Sequence, residues 1–323
     1  MLPENIIALH EKAGDLLECD DFENARKNFL LVIDCIESQT QPTDEALFLR
    51  DNCYYRVWDS FVGSGKAIDG VNFFVKRPFK YPTGDIKNLL LNMGHDLVER
   101  DDYSNARPIL NRTASKEFFN ISAVSGESRN EALAMYDLAL CYIHHEPRDF
   151  VKATICFYLS HIFDPSLEDQ KQKMVMAAKL EPNAGNNLLI YQALDILKQN
   201  PTHRESIDKL SHAIDNILLN WNATILKVSD KDVSNVDNWI FNANKGYDYL
   251  RDRHFFQSFS HFENAANIAS KPFLRHGMGF ALLKLSRINN NSYEFQKGLT
   301  ELRLVREAEP VYNFSMFIKV HKA

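Results

Sequence analysis

Glycine and proline are scarce, at 12 and 11 in 323 residues. A multi-turn β architecture spends both at its turns. Their scarcity, beside abundant Leu, Ala, Glu, Lys and Asn, favours helix. Positive charge is not in excess either. The net charge is -6, whereas a nucleic-acid protein carries a basic stripe. The five cysteines, at positions 19, 35, 53, 141 and 156, form no Cys-x-x-Cys pair. An odd count without a secretory leader reads as reduced thiols. No apolar run approaches the ~20 residues of a membrane span. The opening MLPENIIALHEKAGDLLECD lacks the basic start and apolar stretch of a signal peptide. These absences predict a cytoplasmic protein with no membrane span and no nucleic-acid partner. The Asn- and Lys-rich style is also compatible with a bacterial effector delivered into a host cell without a cleaved signal.

Signatures of chemistry are missing as well. The stretch GSGKA has the look of a phosphate loop, but a Walker A sequence needs Gly-x4-Gly-Lys-Ser/Thr after a strand. Ser60 and Ala67 stand at the deciding positions, so Gly63 and Gly65 read as the end of one helix and the start of the next. Asp20-Asp21 and Asp101-Asp102 lack the alternating acids, turn glycine and distal Glu of a calcium loop. The histidines form no His-Glu-x-x-His or His/Cys cluster. No Gly-x-Ser-x-Gly, kinase or Cys-His pattern occurs. No catalytic residue, metal ligand or cofactor is therefore assigned. The basic-aromatic FFVKRPFKY is broken by Pro78 and flanked by Pro82, which predicts a helix end and a loop.

What is present is repetition. AGDLLECDDFENAR at 13–26 and GHDLVERDDYSNAR at 94–107 agree at eight of fourteen positions. A small residue (Ala13, Gly94) is followed by an apolar one three on (Leu16, Leu97). An aromatic follows (Phe22, Tyr103), then Ala25 or Ala106, then a bulky residue (Phe29, Leu110). Steps of three and four share a helix face. The Asp pair suits the break between two helices, where Asp caps the second. Small residues at matching heights let the two helices approach closely. Asn24/Asn105 and Arg26/Arg107 are expected to point away from the hairpin seam.

The template returns as Gly246, Tyr249, Phe255, Ser258, Phe262 and Ala265. Ala139, Tyr142, Phe150, Ala153 and Phe157 fit with a two-residue insertion, and Gly279, Leu282, Phe295, Gly298 and Leu302 with a longer turn. Ala193, Ile196, Ser206, Leu210 and Ala213 make a weaker copy, and Ala67, Val71 and Phe74 mark the second helix of a degenerate one. Phe256 falls off the packed face and is expected to meet the adjoining repeat. Residues 166–180 read as one extra helix capped by Ser166 and Asp169, disturbing the alternation. Pro165, Pro182 and Pro310 close three copies.

This pattern resembles the tetratricopeptide repeat family, over most of residues 5–310. The resemblance implies an all-α fold, an α-solenoid of stacked antiparallel helical hairpins, TPR-like and irregular in the middle. Two blocks are expected, 1–165 and 166–323, the second ending in a capping tail, VYNFSMFIKVHKA. Stacked hairpins expose a long surface lined by first helices. The expected function is a non-catalytic adaptor or regulator that binds a partner protein or peptide there. His95, Tyr136, His144, Asn244, Tyr247 and Arg251 are the partner-binding candidates, with His10, Leu91 and Ala243 also expected to face outward. Family members that hold an acidic chaperone tail use a Lys/Asn clamp where this chain has His10 and Gly14, so that activity is not carried over. Two other readings stand beside this one: an effector or enzyme with its site in the irregular middle, and a peptide-sensing regulator.

Overall fold

The computed structural model describes residues 3–115, 117–118, 121, 127–228 and 236–322. The chain is all-α. Among the described residues it forms fifteen helices and one two-stranded sheet. It divides into two compact units, Met1–Glu146 with Ile162–Ser166, and Pro147–His161 with Leu167–Ala323.

The first unit stacks hairpins α1 (Glu4–Glu18)/α2 (Phe22–Glu37), α3 (Asp44–Gly63)/α4 (Ala67–Lys76) and α5 (Gly84–Glu99)/α6 (Tyr103–Thr113), followed by α7 (Glu127–His144). The second holds most of α8 (Phe150–Phe163), then the extra helix α9 (Gln170–Leu180) and hairpin α10 (Pro182–Gln199)/α11 (Arg204–Leu219). Strand β1 (Ala223–Val228) follows, then α12 (Val236–Arg251)/α13 (Phe255–Ile268), α14 (Pro272–Asn289)/α15 (Ser292–Ala308) and strand β2 (Phe317–Lys322). Neighbouring helices within each unit pack against one another, the stacking of an α-solenoid.

One turn recurs five times. Asp20, Gly65, Asp101, Arg253 and Asn290 adopt left-handed backbone at φ 60, 70, 58, 62 and 51°. The next residue returns its N–H to a carbonyl five positions back: Asp21 to Leu16 at 2.9 Å, Asp102 to Leu97 at 2.9 Å, His254 to Tyr249 at 2.8 Å. This satisfies carbonyls at the helix end that would otherwise be left open. In the DD copies the second Asp also starts the next helix, accepting from the Asn24 or Asn105 backbone N–H. The same asparagines donate Nδ2 to that carboxylate at 2.8 Å.

The repeated arginines have a role too. Arg26 lies 4.1 Å over the Phe61 ring and Arg107 4.6 Å over Tyr142, each on the first helix of the following hairpin or half-hairpin. The Asn of the repeat thus braces the capping Asp, and the Arg, directed away from its own hairpin, makes a cation–π contact with the next first helix.

The small-to-bulky contact is as the spacing predicts. A Cβ on Gly94 would sit 2.3 Å from the Leu110 side chain, and one on Gly246 2.9 Å from Phe262. Ala13 and Phe29, the first pair, are both buried.

Three expectations are corrected. Asp169 precedes α9 with left-handed backbone and makes no capping bond, while Ser166 turns to Asp164. Phe256 and Ile196 are exposed, at 66% and 44%. The C-terminal segment does not merely lie over the last hairpin. Phe314 and Phe317 are fully buried, among Tyr191, Tyr247, His276 and Phe280. Its strand β2 pairs in parallel with β1, Ala223 opposite Phe317 through Val228 opposite Lys322.

Candidate interaction surface

In the first unit, polar side chains join successive first helices. His10 meets Asn52 at 3.4 Å, Asn130 donates to Asn88 at 3.2 Å, and His95 Nδ1 meets Asp137 at 2.8 Å. Helix α5 is seated by α3: Asp51 accepts from the Thr83 hydroxyl at 2.6 Å, and Tyr55 donates to the Asp85 carbonyl at 3.1 Å. Asp51 is in turn held by the fully buried Arg50, whose Nε donates at 2.8 Å. Burial opposes charge on His95, yet the buried Asp137 carboxylate, with Glu99 and Asp96, carries its imidazole above the ordinary value. Beside α5 opens a cleft of about 420 Å³, bounded by Trp58 and Asp59 of α3 and by Asp96, Leu97 and Arg100.

In the second unit, first helices grip the chain's own C-terminal segment. The Tyr191 hydroxyl donates to the Pro310 carbonyl at 2.7 Å. Asn187 Oδ1 accepts the Phe314 N–H at 2.7 Å. Asn244 makes a two-point contact with the main chain of Val320, donating to its carbonyl at 2.7 Å and accepting its N–H at 2.9 Å. Asp248 takes Lys319 at 2.8 Å. His276, sealed among Tyr312, Phe314 and Phe317, is driven by burial down to about 3 and stays neutral.

The six candidate positions separate accordingly. Tyr247 is fully buried, its hydroxyl donating to the Phe273 carbonyl at 2.6 Å, so it is core and unavailable to a partner. Leu91 and Ala243 are buried likewise. Asn244 is committed to Val320. The tail covers this part of α12, a placement the hairpin template does not contain. Arg251 is exposed but bonded to Asp252 and laid over Trp221. His144 is exposed and stacked on Tyr103 at 4.9 Å. Tyr136 is half-buried, and His95, with its side chain 43% exposed, faces Asp137. His10 and His95 are not brought together; each binds a different neighbour.

Residues passed over by the sequence reading complete the surface: Asn92 and Asp96, both exposed on α5, and Asn187, Tyr191 and Asp248 on the second unit's first helices. The signal was available. NMGHD at 92–96 and NKGYD at 244–248 share Asn, Gly, a ring and Asp. Among the described residues no group of three or more His, Cys, Asp or Glu is arranged to hold a metal ion, and no helix is long and apolar enough to cross a membrane.

The chain matches no family model, no curated protein and no solved structure.

Proposed function

We propose that the protein is a non-catalytic interaction module, an adaptor or regulator that binds a segment of a partner protein along its first helices. The observation carrying this reading is the grip on residues 310–320. Side chains of α10 hold the turns at Pro310 and Phe314, and Asn244 of α12 holds the strand at Val320, in each case through the segment's own N–H and C=O groups. The tetratricopeptide resemblance points the same way, since stacked hairpins offer a long receptive surface.

Affinity purification of the full chain from its native cells, with a photo-crosslinker at Tyr136 on α7 or at Glu23 on α2, tests it. The expected result is a stoichiometric partner crosslinked from Tyr136 and not from Glu23. A partner crosslinked from Glu23 alone, or none, counts against the reading.

A further inference from the structure

Hairpins α5/α6 and α12/α13 share one register. Gly94 abuts Leu110 and Gly246 abuts Phe262, each sixteen residues on, and both hairpins close through the same left-handed turn at Asp101 and Arg253. Asn92, His95 and Asp96 therefore occupy on α5 the places of Asn244, Tyr247 and Asp248 on α12. The second trio works as a unit on the C-terminal segment. Asn244 clamps the Val320 main chain, the Tyr247 ring meets Phe317 at 5.3 Å, and Asp248 takes the Lys319 ammonium. Trp221 closes the lysine site, its ring centroid 5.6 Å from Lys319 Nζ. Carboxylate and indole together suit a cation.

The first trio has no segment across it among the described residues. Asn92 and Asp96 are exposed and make no side-chain hydrogen bond there. His95 reaches to α7 as Tyr247 reaches to α14, each bonding the next first helix. Trp58 lines the same cleft as Asp96, an indole beside a carboxylate as Trp221 and Asp248 are beside Lys319. Asp59, also on the cleft wall, is paired with Arg56 at 3.4 Å, and Arg100 stands on the same lining, so Asp96 is the carboxylate offered to a cation.

Resting on the adaptor reading above, we infer that the exposed face of α5 carrying Asn92 and Asp96, which runs into the cleft at Asp96, binds an extended, basic segment of a partner protein. Asn92 clamps its main chain, and Asp96 with Trp58 receives a lysine or arginine. The pattern of the gripped segment, Phe317-Ile318-Lys319-Val320, gives the ligand class: an apolar residue, any residue, a basic residue, then the residue whose amide is clamped.

A phage-displayed library of random twelve-residue peptides selected on the full chain tests this. Selected peptides are expected to carry the apolar-x-Lys/Arg pattern. Their affinity, read by fluorescence anisotropy, should fall at least tenfold with Asn92→Ala, and likewise when the clamped amide of the peptide is N-methylated. Asp96→Lys should abolish binding, and Lys→Glu in the peptide should restore it in part. Both positions are exposed, and thermal melts followed by circular dichroism confirm that the variants fold. Selection of peptides without a basic residue, or affinity unchanged in Asn92→Ala, overturns the inference. A native partner that binds both variants as well as the parent chain overturns it too, while leaving the adaptor reading standing. Failure of that reading appears differently, as no native partner crosslinked from Tyr136.

Discussion

Asp20 and Asp101 hold left-handed backbone at a cost that glycine would not meet, since a Cβ crowds the adjoining carbonyl. Asp tolerates the conformation better than most residues. Arg253 has no such excuse, and it stands at the same turn with φ 62°. Arg253→Gly is expected to stabilise the chain by up to about 1 kcal/mol, the relief of strain outweighing the extra freedom glycine brings to the unfolded state. Urea unfolding checks the sign. At this scale the sequence was half legible. The Asp pair announces a turn and a cap, because capping chemistry is local. The partners of Arg26 and Arg107 were not legible, because Phe61 and Tyr142 lie in other hairpins.

At the scale of the element, the hairpin is defined by what its small residues leave room for. Gly94 and Gly14 sit one register step apart in corresponding helices, yet their surroundings differ. A Cβ at Gly94 meets Leu110, while at Gly14 nothing lies within 4 Å. Gly94→Val is expected to cost about 2–3 kcal/mol by forcing α5 from α6. Gly14→Ala is expected to add about 0.5–1 kcal/mol, as at any open helix-interior glycine. Thermal melts of the two variants give opposite shifts if the close-approach argument holds. Helix positions were readable because 3.6-residue periodicity and turn chemistry are properties of short windows. The fate of individual apolar positions was less so. Ile196 fits the periodic face and still emerges 44% exposed.

At the scale of the whole chain, the C-terminal segment links core and pH response. His276 is sealed by Tyr312, Phe314 and Phe317 and takes a proton only near pH 3, against an ordinary value of 6.5. Between these values the unfolded chain binds the extra proton. Stability must therefore fall as pH drops from 6.5 towards 3, by up to about 1.4 kcal/mol per pH unit from this one group. Urea midpoints at pH 7 and pH 5 should diverge in the parent chain and converge in His276→Gln. An equal pH dependence in both would show that His276 is not the buried neutral group described.

The sequence by itself determined the all-α stacking and the close helix pairs, because periodicity, capping and small-residue spacing act over a single hairpin. It also contained NMGHD and NKGYD. Only the tertiary structure decided that one of these grips the C-terminal segment while the other, among the described residues, has no segment across its exposed Asn92 and Asp96. That depends on where residues 310–322 come to rest, which no local pattern encodes. Two aromatic side chains there find hydrophobic sites far back along the chain, Phe314 at Tyr191, more than a hundred residues away, and Phe317 at Tyr247. Burial of this kind is non-directional and non-local, and so it was settled by the assembled helices and not by the segment's own sequence.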